Sequence, residues 1–401
     1  MRTQTPQGVK DFLPDDARWK VQLEQSIRRS FAGWGYQEVL TPSFEFFDTV
    51  NLGDSSDEQT LKFLDRDGQL LALRPDATTP LARMAATRFR DTHRPLRLSY
   101  VTNVFRANQD EVGREREFFQ AGVECIGVAS PLADAEVIAL AAELLRNVEL
   151  DQFQISLGHV QFFNGLLSEC PDTQTRQQIR RSFLNQDYVG LQGILQRSAL
   201  PQWAKNILAQ LPRSHGERSV LEQLKAEVQN QAALDALANT KEICDHLGVR
   251  GLQKCISLDF SMLKSLDYYT GMVFEGYAPH LGFSLCTGGR YDRLLGQFGP
   301  ERPAVGFAVG LERLLWVLTA QGQQPPVEPP KLFVWPGHGS HALRLAAERR
   351  AAGDTVILDV QNLERDEVLA HAKTNGMSKV IFVVGDDVKC VDVEQGGGQP
   401  C

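Results

Sequence analysis

The chain has 401 residues, with 42 Lys or Arg against 50 Asp or Glu and a formal net charge of -8. That length supplies two or three domains and a large core, and the acidic balance argues against a surface devoted to nucleic acid. The opening MRTQTPQGVKDFLPDD has neither the basic start nor the apolar run of a secretory signal, and no apolar stretch reaches membrane-spanning length, so the expected location is the cytoplasm.

In chain order, apolar positions from about 17 to 32 have helical spacing, and GYQEVLTPSFEFFDTV, 35–50, then turns extended around Pro42. The stretch FLDRDGQLLALRPDATTPLARMAATRFR carries a hairpin signal at Asp67-Gly68 between two strands. A helix follows, starting near Thr78-Thr79-Pro80, where hydroxyls ahead of a proline are capping chemistry. From Arg97 to Gly127 two apolar strands flank a polar loop. Gln120 and Glu124 stand an even number of positions apart and so share one face of their strand. An amide beside a carboxylate suits an imidazole, which both donates and accepts.

The segment 161–250 is helix-rich with mixed charge and receives no chemistry. LDYYTGMVFEGY, 266–277, and GGRYDRLLG, 288–296, then place Tyr268, Tyr269 and Tyr291 on neighbouring strand-like stretches. A snug polar pocket for a small ligand is assembled on a rigid sheet in this way. PAVGFAVGLERLLWVLTAQG predicts a strand running into an amphipathic helix, and the proline-rich QGQQPPVEPP, 321–330, marks a domain boundary. Beyond it LFVW, TVILDV and KVIFVV alternate with helical patterns near 341–352 and 363–375, which predicts a small α/β domain with a parallel sheet. Seven cysteines stand singly without C-x-x-C spacing, and the eight histidines form no metal pattern. No disulfide framework, metal site or cofactor is expected.

Each piece alone is explained as well by sheet tyrosines, turns and helix caps as by a binding site, but their combination is not. The tyrosine pair with GGRYD resembles the histidine-recognition signature of histidyl-tRNA synthetases, and LRPDAT resembles their LRPE-x-T. The helix and strand up to Pro42, the 97–127 hairpin and the 303–322 segment resemble motifs 1, 2 and 3 of class II aminoacyl-tRNA synthetases. The last region resembles a truncated anticodon-binding domain. The resemblance implies an α+β fold: an antiparallel sheet domain at 1–160 and 251–320, a helical insertion at 161–250, a linker at 321–330 and the small α/β domain at 331–401. It implies that Asp76 and Thr78 hold a histidine amino group, with Gln120, Glu124, Tyr268, Tyr269 and Tyr291 around the imidazole. Arg106 and Arg313 would be the vestigial contacts to ATP phosphates.

The departures fall on the ATP side. Lys264 stands where the synthetases place a catalytic arginine and cannot reproduce its bidentate fork. Asn108 replaces a glutamate that orients adenine, and Asp110 and Glu111 put acid where phosphates would approach. From 331 to 401 eight Lys or Arg meet ten Asp or Glu, unlike a tRNA reader. This division is similar to that of the regulatory subunit of short-form ATP phosphoribosyltransferase, a synthetase paralogue without catalysis of its own. That resemblance implies feedback control by histidine, a homodimer within a hetero-oligomer, a separate short catalytic subunit as partner, and neither tRNA nor membrane. A divergent working synthetase and a histidine sensor with another client remain the alternatives.

Overall fold

The computed structural model describes residues 3–51, 60–107, 115–150, 152–262, 268–279, 281–326, 331–336, 340–394 and 398–400. The chain divides into two compact units between Pro325 and Pro326. Among the described residues no helix is long and apolar enough to cross a membrane.

The first unit is built on a sheet to which nine strands contribute among the described residues. In spatial order they are Gln37–Glu38, Leu96–Phe105, Glu117–Ile126, Ala304–Gly310, Cys286–Arg290, Met272–Tyr277, Gln154–His159, Ile256–Asp259 and His215–Gly216. All neighbours run antiparallel except two pairs, Gln37–Glu38 with Leu96–Phe105 and Gln154–His159 with Ile256–Asp259. A mostly antiparallel sheet backed by helices is the α+β arrangement that the resemblance implies. Strand alternation sends Ala121, Val123 and Cys125, with Val305, Phe307 and Val309, into the main core on one face. The helices Pro14–Gly33, Pro131–Asn147 and Leu311–Ala320 pack there. The first of them begins earlier than apolar spacing predicted, because Pro14 opens it and Asp15 and Asp16 favour its positive end. Leu23, Ile27 and Phe31 form its buried stripe. The second is apolar almost all round, is started by Ser130 accepting from the Ala133 amide, and is correspondingly buried.

The predicted hairpin is present. Lys62–Leu64 and Leu70–Leu73 pair antiparallel, and Phe44–Phe46 joins them as a three-stranded sheet. The helices from Val160 to Val249 share one apolar core with the helices that back the main sheet.

The second unit corrects the expectation of a parallel sheet. Lys331–Trp335 pairs parallel with Thr355–Leu358 and Lys379–Val384, but Asp387–Asp392 and Gly398–Pro400 follow antiparallel. The cause is the Gly385-Asp386 turn, with Gly385 at φ 62°, a two-residue hairpin between two β-rich runs. The second helix spans Val368–Thr374 rather than starting near 363, because the Asp359 carboxylate accepts from the Gln361 and Leu363 amides and turns the chain first.

Candidate ligand pocket

The face of the main sheet opposite the large core carries a row of small residues with polar ones between them. Register sets Glu124 opposite Gly306 and Leu98, Gly122 opposite Ala308 and Tyr100, and Gln120 opposite Gly310 and Thr102. Thr287 lies across from Ala308 on the next strand. The floor depends on missing side chains: a Cβ on Gly306 would stand 1.7 Å from Glu124 Oε2, and one on Gly122 would meet the Tyr100 hydroxyl at 2.4 Å. Above it the structure gathers Asp76, Thr78, Arg106, Gln120, Glu124, Tyr268, Tyr269 and Tyr291 around one cavity. Thr287, Gly306, Phe307 and Ala308 complete the lining.

Glu124 is 1% exposed. Its Oε1 accepts from the Thr78 hydroxyl at 3.0 Å and its Oε2 from the Tyr291 hydroxyl. Burial pushes its pKa up to about 8, against the pull of the two hydroxyl bonds and with the neighbouring Asp76 carboxylate adding to the rise. Burial likewise lifts the phenols of Tyr268, Tyr269 and Tyr291 above their ordinary value and keeps them protonated. Tyr268 meets Tyr291 edge-on, with centroids 5.7 Å apart, and leans on Tyr269 at 4.8 Å. The Gln120 Oε1 is buried without a hydrogen-bond partner among the described residues. An orphan acceptor beside a cavity is the mark of a group awaiting a guest.

The LRPDAT segment is held from below. Arg74 is buried and donates to Asn103 O at 2.8 Å, Thr41 O at 2.8 Å, Pro42 O at 3.1 Å and Asn103 Oδ1 at 2.9 Å. It ties the 41–42 turn and the Leu96–Phe105 strand to the residues just before Asp76. Capping differs from expectation: Asp76 Oδ1, not a threonine hydroxyl, accepts from the Thr79 amide at 2.8 Å at the start of the Thr78–Arg88 helix. The spacing of Asp76 to Thr79 was the signal for it. A carboxylate accepts several bonds, so acceptor capacity remains toward the cavity.

Among the described residues, the two arginines of the expected phosphate side each donate to a backbone carbonyl. Arg106 donates Nε to Pro75 O at 3.1 Å and lies over the Phe118 ring. Arg313 stands outside the residues lining the cavity, over the Phe283 ring and donating to Ser284 O. Lys264, Asn108, Asp110 and Glu111 lie outside the described residues. Sequence reasoning missed Tyr100, Arg74, Thr287 and Gly306. Tyr100 could have been found from the alternation Leu98, Tyr100, Thr102 once the hairpin register was known.

A family model described as histidyl-tRNA synthetase matches residues 8–314. The ATP phosphoribosyltransferase regulatory subunit of Moorella thermoacetica is 41% identical over 94% of this chain and 97% of its own. That of Desulforamulus reducens is also 41% identical, over 94% of each. A solved structure described as an ATP phosphoribosyltransferase regulatory subunit/histidyl-tRNA synthetase from Bacillus halodurans superimposes with TM-score 0.86 at 32% identity, covering 96% of this chain and 100% of that one. Histidyl-tRNA synthetase from Nostoc sp. PCC 7120 gives 0.81 at 22% identity over 100% and 97%, a likeness of fold alone. With near full-length identity to the regulatory subunits and a synthetase-like sheet, this chain belongs to the ATP phosphoribosyltransferase regulatory subunit family.

Proposed function

We propose that this chain is the non-catalytic regulatory subunit of a short-form ATP phosphoribosyltransferase and binds histidine for feedback control of histidine biosynthesis. The names of its relatives support the regulatory role. The pocket supports the effector: a buried carboxyl, an unpaired amide oxygen and three phenols converge on one small space. Such a set suits a flat ring that donates at one nitrogen and accepts at the other, while Asp76 and Thr78 offer acceptors for an α-ammonium. The observation that carries the reading is Glu124, enclosed and held by Thr78 and Tyr291.

Activation of histidine would require preorganised positive charge at the α-phosphate, and loss of one such donor costs about two orders of magnitude or more in rate. Arg106 and Arg313 engage backbone carbonyls, and the loop carries Asn108, Asp110 and Glu111, with Lys264 in place of a fork-bearing arginine. Neither histidine-dependent pyrophosphate exchange nor tRNA charging is expected. For assembly, Phe44, Phe46 and Phe63 are exposed on the short sheet, an apolar patch that a second copy would cover in a homodimer. In this reading catalytic subunits dock on that dimer in the cytoplasm.

Calorimetry of the full chain with histidine tests the effector. Glu124→Ala should weaken binding by roughly tenfold or more, since it strips a buried group from its partners. Unchanged affinity would place the regulatory histidine elsewhere. Co-expression with a short catalytic subunit tests the partner. The complex should be inhibited by histidine, because effector and active site share a coupling free energy, and Glu124→Ala should relieve inhibition without loss of assembly. A chain that neither co-purifies with that subunit nor alters its rate would be an independent sensor.

A further inference from the structure

Glu124 lies at the centre of the pocket floor, and its direct partners are hydroxyls. Thr78, at the start of its helix, donates to Oε1, and Tyr291, just past the Cys286–Arg290 strand, donates to Oε2. Tyr100 comes from the adjacent strand, Tyr268 and Tyr269 from the segment ahead of Met272–Tyr277, and Gly306 presses from the other side. Asp76 adds a second carboxylate rather than a counter-charge. Arg106, the cation in the lining, turns its Nε to the Pro75 carbonyl and its plane to Phe118. A carboxylate with no cation in contact among the described residues, and itself 1% exposed, is better accommodated with its proton on.

We propose that the empty pocket keeps a proton on Glu124 and admits histidine with a neutral imidazole, so that carboxyl and ring share one proton in the complex. This rests on the histidine reading. It also gives the pocket a selectivity that shape alone would not: the guest must accept a proton where Glu124 offers one.

The sign of the pH dependence follows. Burial holds Glu124 protonated up to about pH 8, whereas a free imidazole is neutral above about 6.5. Between those limits carboxyl and ring together carry one proton before and after binding, so affinity is flat. Below about 6.5 the ring must shed an extra proton. Above about 8 Glu124 must regain one. On each side affinity falls, approaching tenfold per pH unit.

The test is calorimetry of the full chain with histidine in buffers of different ionisation enthalpy, which counts protons exchanged. At about pH 7 the count attributable to Glu124, wild type minus Glu124→Gln, should be near zero, and at about pH 9 it should approach one proton taken up. The ligand's own amine titrates equally in both and cancels. Infrared spectroscopy of the unliganded chain needs no binding by the variant: a protonated carboxyl carbonyl band at neutral pH, absent in Glu124→Gln, should titrate away near pH 8. Uptake of a full proton already at neutral pH, no uptake at alkaline pH, or no such band would overturn the proposal while histidine binding stood. Failure of histidine to bind at any pH would instead sink the functional reading, and the proposal with it.

Discussion

Two carboxylates lie at equal depth on either side of the same strand end, Glu124 and Asp134, each 1% exposed. Asp134, in the first turn of Pro131–Asn147, receives two N–H bonds from Arg290 at 2.9 and 2.6 Å. Arg290 also reaches Val128 O at 3.1 Å and Asp292 at 3.0 Å. Burial alone would lower the Arg290 pKa, yet Asp134 and Asp292 keep it above its ordinary value. Glu124, bonded by Tyr291 just past the end of that strand, is given hydroxyls instead of a cation. A carboxylate with a resident fork pins the strand to the helix behind it. One without a cation among the described residues is left to meet a guest, and the GGRYD segment at the strand end contributes to both.

Removing Asp134 should have the largest effect on the molecule. Asp134→Ala leaves a buried guanidinium with the Val128 carbonyl and a single, half-exposed counter-charge, Asp292, and breaking a buried pair from one side typically costs about 3 to 5 kcal/mol. Denaturant unfolding would read the loss, and an unchanged midpoint would reduce the pin to a bystander. Glu124→Gln should act in the opposite sense and depend on pH. Glu124 in the folded chain titrates near 8 against 4.5 as a free side chain, so wild-type stability is intact below about 4.5 and declines as pH rises toward 8. The variant lacks that decline. Relative to wild type it should gain up to a few kcal/mol between those limits, with a slope of at most about 1.4 kcal/mol per pH unit. Parallel stability profiles for the two proteins would mean that Glu124 is ionised in the empty pocket.

The floor can be tested without touching any polar group. Gly306→Ala drives a methyl into Glu124 Oε2 and the Val123 carbonyl. Overpacking of this kind costs about 1 to 3 kcal/mol. Histidine affinity should fall with it, because Glu124 can move only by leaving Thr78 and Tyr291. Retained affinity in a stable Gly306→Ala chain would place the ligand away from this floor.

The parts of the fold and pocket that could be read from sequence are those written in local pattern. The Asp67-Gly68 hairpin, the even spacing of Gln120 and Glu124, and the proline-rich boundary each follow from a few neighbouring residues. Tyr100 was illegible for a different reason. Which residue lies across from Gly122 depends on the register of two strands joined by a long loop, and a one-residue slip would have turned Tyr100 to the other face of the sheet. Gly306 looked like any strand glycine until Glu124 was placed against it. Arg74 looked like part of a signature, while its partners at 41–42 and 102–103 are set by tertiary packing. The mixed sheet of the second unit turned on one Gly-Asp pair, outweighed in the sequence by apolar runs that read as parallel strands.

The smallest effect should separate stability from binding most cleanly. Gln120 shares the face of Glu124, but its Oε1 has no hydrogen-bond partner among the described residues, so in the empty chain it is a desolvated acceptor with nothing to accept. Gln120→Met keeps length and approximate volume and removes that cost. The empty protein should be unchanged or more stable, by up to about 1 kcal/mol, since replacing an unsatisfied polar group by an apolar one of like shape is neutral or favourable. Histidine binding should weaken by about threefold to tenfold, the worth of one hydrogen bond. A melting temperature that holds or rises while calorimetric affinity falls is therefore expected from a single substitution. Loss of stability would show that Gln120 is satisfied within the folded chain, as Asp134 is, and that Glu124 stands alone as the group held open for a ligand.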